Sequence, residues 1–158
     1  MTLDLAWEPL AAMLDDGLAD LVRAHWDEVG VFKEQMPLDV DWDGYRRQEM
    51  LGNLRLLGAR IDEKLIGYNS FFVLPGHLHY KSTPHAMGDA IYVKPENRKS
   101  GAGPLMIIEA EAAIAKLYAP RFVRFVYHDK AFLDYLKPIL EKMGYEHQEN
   151  NFSKMVRA

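Results

Sequence analysis

The sequence predicts a single mixed α/β domain in which helices flank a mostly antiparallel sheet. Three observations lead to this prediction: a helical hydrophobic period at the amino end, strand-like runs from about residue 54, and a glycine turn between a strand and a helix near residue 101. With 158 residues, 49% of them hydrophobic and 27% charged, the chain has the size and composition of one globular domain. We find no internal repeat or linker.

The first fifty residues are expected to form two helices. Asp41 or Asp43 can cap the second, which reaches about Leu51. Val31 to Val40, interrupted by Pro37, is expected to connect the two. The first helix is predicted from apolar side chains that recur at three- and four-residue spacing, namely Leu10, Leu14, Leu18, Leu21, Val22 and Trp26.

From residue 54 the pattern changes to that of strands. Leu54–Ile61 and Leu65–Val73 are predicted to pair across a tight turn at residues 62–64. The alternating stretch His77–Tyr80 is predicted to be a further strand, and Pro84 separates it from one that ends near Val93. Short connections of this kind favour antiparallel pairing.

The second half of the chain alternates helices and strands. Pro104 suits a first helical position, because its missing N–H would have no partner there, so a helix is predicted from Pro104 to Tyr118. Pro138 should bend or split a later helix, which Gly144 ends. The remaining predicted elements are a strand over Arg121–Tyr127, that later helix over Ala131–Met143, and a last strand over Tyr145–Val156.

Composition and charge restrict the classes of function. Without cysteine the chain has no disulfide, thiolate metal ligand or thiol nucleophile. It has no apolar run of membrane-spanning length and no basic leader, so we expect a cytoplasmic protein with no membrane partner. Residues 1–52 carry a net charge of −8 and the remainder +4. The acidic part can attract a cationic acceptor and argues against a nucleic-acid surface, whereas the basic part can attract phosphates.

The glycine turn carries the most chemical information. The apolar run Ala90–Val93 is followed by the polar segment Arg98-Lys99-Ser100-Gly101-Ala102-Gly103, after which a helix begins at once. Backbone N–H groups converge at such a turn, where a phosphate can bind. A Rossmann site needs a third glycine in a parallel unit, and a Walker loop needs Gly-Lys-Ser/Thr, and neither is present. The alternative is a turn that serves only the tight connection.

In this setting Arg98–Gly103 resembles the acetyl-CoA signature Arg/Gln-x-x-Gly-x-Gly/Ala of the GNAT family of N-acetyltransferases. Glu141-Lys142-Met143-Gly144-Tyr145 resembles the ending of the last helix in that family. The resemblance runs from about Asn53 to the carboxyl end, and Tyr145 to Lys154 is also similar to small phage-encoded members.

This resemblance implies one acyltransferase domain over residues 1–158 that transfers an acetyl group directly from acetyl-CoA to an amine. Residues 1–52 would form a variable helical acceptor-side region and residues 53–158 the cofactor-binding core. The backbone at Ile91 and Val93 would pair with the pantetheine arm. The pyrophosphate would be held by the loop, to which Arg98 or Lys99 adds charge, and the implied loop residues are Arg98, Lys99, Ser100, Gly101, Ala102 and Gly103. Pro104 departs from the pattern because it lacks an N–H.

Acetyl transfer requires a group that takes a proton from the ammonium and one that protonates the departing thiolate. By resemblance, Asp89 on the strand before the glycine turn is the base, and a local hydrogen bond at the strand start is its alternative role. Tyr135 is the candidate acid, with a buried core position as the alternative, since Leu140 stands where the family has its tyrosine. Tyr127 and His128, at a strand end, are further candidates.

The acceptor is expected to be an amine on a small molecule, a protein or a modified nucleobase. Trp26, Trp42 and Tyr45 could line its pocket, but core packing explains them more simply. A zinc site is the less favoured explanation of the histidines, because no cysteine and no third ligand at fixed spacing support it, so no metal is predicted. The histidines concerned are His77, His79 and His85.

Two other functions remain open at this stage. Leu140 in place of the family's tyrosine favours a catalytically silent CoA-binding or regulatory domain. A phage-type modifier of nucleic acid or protein is the other, although the acidic amino half argues against nucleic acid. The oligomeric state, including a homodimer, is not defined by the sequence.

Overall fold

The computed structural model describes residues 2–128, 136–148 and 153–156. Its strands are β1 (Leu3–Trp7), β2 (Leu54–Ile61), β3 (Lys64–Leu74), β4 (His85–Val93) and β5 (Arg124–Val126). Its α-helices are α1 (Leu10–Asp15), α2 (Leu18–Val29), α3 (Trp42–Met50), α4 (Ala102–Tyr118) and α5 (Leu136–Lys142), and a 3-10 helix (Pro95–Ser100) precedes α4. The strands form one sheet in chain order, antiparallel except for the parallel pair β4–β5. The predicted fold class is confirmed.

Helices cover both faces of the sheet. On one face α1 and α2 bury leucines against β2, β3 and β4, where the buried residues are Leu10, Met13, Leu18, Leu21, Leu54, Leu56, Leu65, Tyr68 and Tyr92. On the other face α4 presents a stripe at four-residue spacing, made of Ala102, Met106, Ala110 and Ile114. This arrangement separates the amino-terminal helices from the helix that follows the glycine turn.

The prediction that the amino-terminal region is only helical is wrong, because β1 pairs with β2 at one edge of the sheet. Its alternate residues Leu3, Leu5 and Trp7 pack on the α4 side of the sheet. An alternation of apolar residues over only five positions is too short to predict a strand from the sequence. The predicted first helix is also divided. Gly17 has a φ of +95°, a left-handed conformation that ends α1 and begins α2.

Several predicted elements of the first half are confirmed with small shifts. The Asp41 side chain accepts a hydrogen bond from the Gly44 N–H at 2.7 Å and so caps α3, as expected. The β2–β3 hairpin turns at Asp62 and Glu63, both with positive φ. The strand predicted at 77–80 is wrong, since those residues form a turn closed by a single bridge between His77 and Tyr80.

The glycine turn begins its helix earlier than predicted. Gly101, with a φ of +82°, is the residue before α4, so the helix starts at Ala102 and Pro104 is its third residue. The missing N–H of Pro104 still removes no helical hydrogen bond, because the N–H groups in the first turn of a helix have no intrahelical partners. The prediction of Pro104 as first residue is therefore wrong by two positions.

The last part of the chain departs most from the sequence prediction. β5 is limited to Arg124–Val126. α5 covers the end of the predicted helix, whose residues before Leu136 lie outside the described ranges. The described residues 145–148 and 153–156 are not in a strand, so the predicted last strand is wrong there. Of the helices described, none is both long and apolar enough to traverse a bilayer.

Candidate active site

A cavity of about 750 Å³ opens between the second half of β4 and the helices α2, α3, α4 and α5. It brings together residues that the sequence placed far apart. Five residues of the predicted site line this cavity, namely Asp89, Ile91, Val93, Arg98 and Gly103. Lys99, Ser100, Gly101 and Ala102 lie in the turn that leads to Gly103.

β4 and β5 pair over only three residues, which leaves the second half of β4 unpaired by β5. The Lys94 N–H donates to the Ile66 carbonyl, and the Ala90 N–H donates to Ser70 Oγ, so both point towards β3. Because backbone groups alternate in direction along a strand, those of Ile91 and Val93 face away from β3. An extended chain could therefore be added at this edge, as in strand addition.

The glycine turn brings the amino end of α4 to the cavity. Its first turn carries no acidic side chain, so the positive end of the helix dipole is not neutralised there. Ser100 Oγ accepts a hydrogen bond from the Ala102 N–H at 3.2 Å, and Gly103 lies at the cavity wall. The turn thus has the form of an anion site.

Arg98 links this turn to α2. Its guanidinium forms an ion pair with Glu28, and its Nε donates to the Val93 carbonyl at 3.1 Å. It also lies over the Tyr92 ring, 5.8 Å from the centroid. The predicted phosphate-binding arginine is therefore in contact with a helix of the amino-terminal region, which the sequence did not indicate.

Asp89 stands at an irregularity of β4. Ser70 is paired with Ala90 and Phe71 with Gly88, which leaves Asp89 as the extra residue of a β-bulge. Its Oδ2 accepts hydrogen bonds from the Tyr45 hydroxyl at 2.7 Å and from Ser70 Oγ at 3.0 Å. The carboxylate is exposed and lines the cavity. Both bonds are made to Oδ2, so they hold the carboxylate in one orientation without using Oδ1.

Two tyrosines beside Asp89 remain protonated over a wide pH range. Burial, and then the charge of Asp89, raise the pKa of the Tyr45 hydroxyl above its ordinary value. The same causes, in the same order, raise the pKa of Tyr68, whose hydroxyl lies 3.0 Å from His25 Nδ1. The His25 ring in turn stacks on Tyr92. A hydrogen bond thus links Tyr45 to Asp89, and another links Tyr68 to His25. The charge of Asp89 acts on both tyrosines.

Sequence reasoning missed Ser70, Tyr68 and His25. A signal was present for Ser70, because Asn69 and Ser70 interrupt an otherwise apolar strand and are both buried. Buried polar residues in the middle of a strand indicate a specific hydrogen-bonding role. His25 and Tyr68 carry no such signal, since their contact joins residues 43 positions apart.

The candidate acids fall at different places. His128 lines the same cavity as Asp89. Tyr127 instead packs against Phe71, and its hydroxyl accepts a hydrogen bond from Asn69 at 3.2 Å. Burial chiefly raises the pKa of Tyr127. Tyr135 lies outside the described residues.

The clustered histidines stack with an aromatic side chain. The His77 ring centroid lies 5.0 Å from that of His85 and 5.4 Å from that of His79, and Tyr80 stacks on His77 and His85. His85 Nδ1 is 3.0 Å from the Thr83 carbonyl. In the part of the chain that the structure describes, no three His, Asp or Glu side chains are grouped to hold a metal ion.

Trp26, Trp42 and Tyr45 lie at the cavity, and two of them also pack against the core. All three line the cavity. Trp42 and Tyr45 also pack against the buried leucines of the α1–α2 face. Their half-buried rings therefore serve the core with one side and the cavity with the other.

Comparisons with known proteins agree on one family. The model of the acetyltransferase (GNAT) family matches residues 18–145. No curated protein matches the sequence.

Solved structures resemble the chain along its whole length. An aminoglycoside acetyltransferase from an uncultured soil metagenomic sample, in complex with sisomicin, has a TM-score of 0.74 at 14% identity, over 98% of this chain and 97% of that one. A ribosomal-protein-alanine N-acetyltransferase from Brucella melitensis has a TM-score of 0.69 at 18% identity, over 99% and 100%. A predicted acetyltransferase from Clostridium acetobutylicum, with acetyl-CoA, has a TM-score of 0.72 at 12% identity, over 98% and 96%. At such identities the likeness establishes the fold.

Proposed function

Since the chain belongs to the GNAT family of acetyltransferases, and so transfers an acetyl group from acetyl-CoA to an amine, we propose that this transfer is direct and takes place in the β4 cavity, with Asp89 as general base. The single observation that carries the proposal is the position of Asp89. Its carboxylate lines the same cavity as the glycine turn and the outward-facing backbone of Ile91 and Val93.

The balance of the reaction assigns a task to each group. Bound acetyl-CoA supplies a thioester carbonyl carbon. The amine must lose a proton before its lone pair can form the new C–N bond, and Asp89 accepts that proton directly or through a water molecule. Once the C–N bond has formed, the nitrogen loses a second proton to become the amide, and this loss balances the proton that the thiolate takes up as the C–S bond breaks. The hydroxyls of Tyr45 and Ser70 keep the Asp89 carboxylate oriented while this occurs.

We assign the second proton transfer to His128. It lines the cavity, whereas Tyr127 is held by Asn69 on the α4 side of the sheet. An imidazole can donate a proton near neutral pH. The assignment does not depend on a tyrosine at the position of Leu140.

The coenzyme fits the described residues in two places. The backbone at Ile91 and Val93 has the direction needed to pair with an extended pantetheine arm. The turn from Lys99 to Gly103 has the form needed to hold a pyrophosphate. The proposal further includes a single catalytic domain over residues 1–158 and, because a chain without cysteine suits a reducing compartment, a cytoplasmic location.

Turnover with a panel of primary amines tests the proposed function. We expect CoA release, followed with a thiol reagent, only when an amine is present, together with acetylated amine by mass spectrometry. Binding of acetyl-CoA without release for any amine would instead support a silent CoA-binding domain, which Leu140 in the family's tyrosine position favours.

Gly103→Val is expected to weaken CoA binding by about 10-fold or more, because its side chain would occupy space beside the phosphate site. No atom lies within 4 Å of a Cβ built at Gly103, so the fold should tolerate the change. Isothermal titration calorimetry measures the affinity. Leu105→Val, on the exposed side of the same helical turn, controls for the β-branched side chain, and equal affinities for both variants would contradict the pyrophosphate site.

His128→Gln is expected to lower kcat by about 10-fold or more, since glutamine retains hydrogen bonding but cannot donate a proton as an acid. The dependence of kcat on the acidity of the leaving thiol gives a second readout, which does not depend on the acceptor. An acetyl thioester of a more acidic thiol needs less protonation and should recover much of the lost rate. Equal losses with both thioesters would exclude His128 as the acid.

A further inference from the structure

We infer that the acceptor is a monoamine with an apolar body, a conclusion that rests on the proposed function and names the substrate class of that site. The side of the cavity away from α4 is formed by α2, the connection after it and the start of α3. Its wall consists of apolar and aromatic side chains: Val22, Trp26, Val29, Leu38, Val40 and Trp42. These side chains are half-buried, so they keep surface for a ligand.

The charge of the cavity fits one ammonium group. Among the described residues that line it, Asp89 is the only one with a carboxylate. Arg98 is the strong cation at the other end, beside the glycine turn. A single amine directed at Asp89 therefore finds a matching charge, while a second ammonium placed against the apolar wall would lose its hydration without a partner.

Asp39 lies between the lining residues Leu38 and Val40, but it is exposed and does not line the cavity. Three other carboxylates beside the cavity are paired with arginines. Asp41 forms an ion pair with Arg47, and Asp43 forms one with Arg46. Glu28 is paired with Arg98. Their negative charge is thus largely matched by neighbouring arginines, in contrast to the carboxylate-rich surface that a polycation would need. The net charge of −8 over residues 1–52 overstates what an acceptor meets inside the cavity.

Hexylamine and 1,6-diaminohexane provide a matched pair of probes, because they differ only in the second ammonium. We expect kcat/KM for hexylamine to exceed that for the diamine by about 30-fold or more, after a twofold correction for the two equivalent amines of the diamine. Sisomicin, as a polycation, should be a still poorer acceptor. A preference for the diamine or for sisomicin would overturn the inferred acceptor class and leave the acetyltransferase function intact.

A charge variant of the wall tests the same point within the protein. Val40 lies in the connection before α3 and lines the cavity, so its replacement should leave the helices in place. V40D is expected to raise kcat/KM for the diamine about 10-fold relative to V40N, which has the same shape without the charge. No difference between the two variants would contradict a wall at Val40 that contacts the acceptor body.

Binding separates failure of this inference from failure of the proposed function. If no amine is acetylated although acetyl-CoA binds, the proposed function is wrong. Calorimetry on the complex with CoA then decides the acceptor class: tighter binding of hexylamine than of the diamine supports the apolar site, and equal or weaker binding overturns it.

Discussion

Asp89→Asn is expected to lower kcat by about 10²- to 10⁴-fold, because asparagine cannot accept the proton that the ammonium must lose. Affinity for acetyl-CoA should stay within about twofold, since the change removes a group that acts in the chemical step. The amide has nearly the shape of the carboxylate and can still accept from the Tyr45 hydroxyl and Ser70 Oγ. Steady-state kinetics and calorimetry measure the two effects separately.

The protonation state of the acceptor distinguishes a base from a structural residue, because a base is needed only to take a proton from the ammonium. An amine that is already unprotonated at the assay pH should be acetylated with a smaller loss. Asp43→Asn, an exposed change on α3, is the matched control and should retain wild-type kcat. A kcat of Asp89→Asn within threefold of the wild type would exclude the proposed base.

The part of the site that follows from local sequence could be predicted. Asp89, the apolar run Ala90–Val93 and the glycine turn lie within fifteen residues of one another, and the resemblance to the GNAT family implied their roles. The bulge that leaves Asp89 unpaired could not be predicted, because it depends on the register of β3 against β4. The sequence thus indicated the carboxylate but not the hydroxyls of Tyr45 and Ser70 that hold it.

Contacts over long sequence separation account for the rest. Arg98 and Glu28 are 70 positions apart, and no periodicity in either segment indicates their ion pair. The same holds for the edge strand β1, whose five residues pair with residues of β2 that are fifty or more positions away. Such contacts are set by how the helices pack on the sheet. The same packing brings together the apolar side chains that we propose as the acceptor wall. The acidic composition of the amino half alone therefore describes the acceptor site incompletely.

One of these long-range contacts should dominate the stability of the amino-terminal region. Arg60 on β2 forms two hydrogen bonds with the Glu8 carboxylate, at 2.9 and 2.7 Å, and a third with Asp16 at 2.7 Å. The Arg60 and Glu8 side chains are only 17% and 14% exposed. This bidentate pair joins the end of β1 to β2, and Asp16 extends it to the end of α1.

Arg60→Met is expected to lower the free energy of unfolding by about 2 to 3 kcal/mol, because it leaves the Glu8 carboxylate largely buried without its partner. The double variant Arg60→Met, Glu8→Leu should recover most of this loss, since it removes the unpaired charge as well. Urea unfolding measures all three proteins, and Arg55→Met, an exposed change on the same strand, is the control. A single variant as stable as the wild type would contradict the role of the pair. Because neither residue lines the cavity, affinity for acetyl-CoA should be retained in the folded single variant, which separates this structural contact from the catalytic one at Asp89.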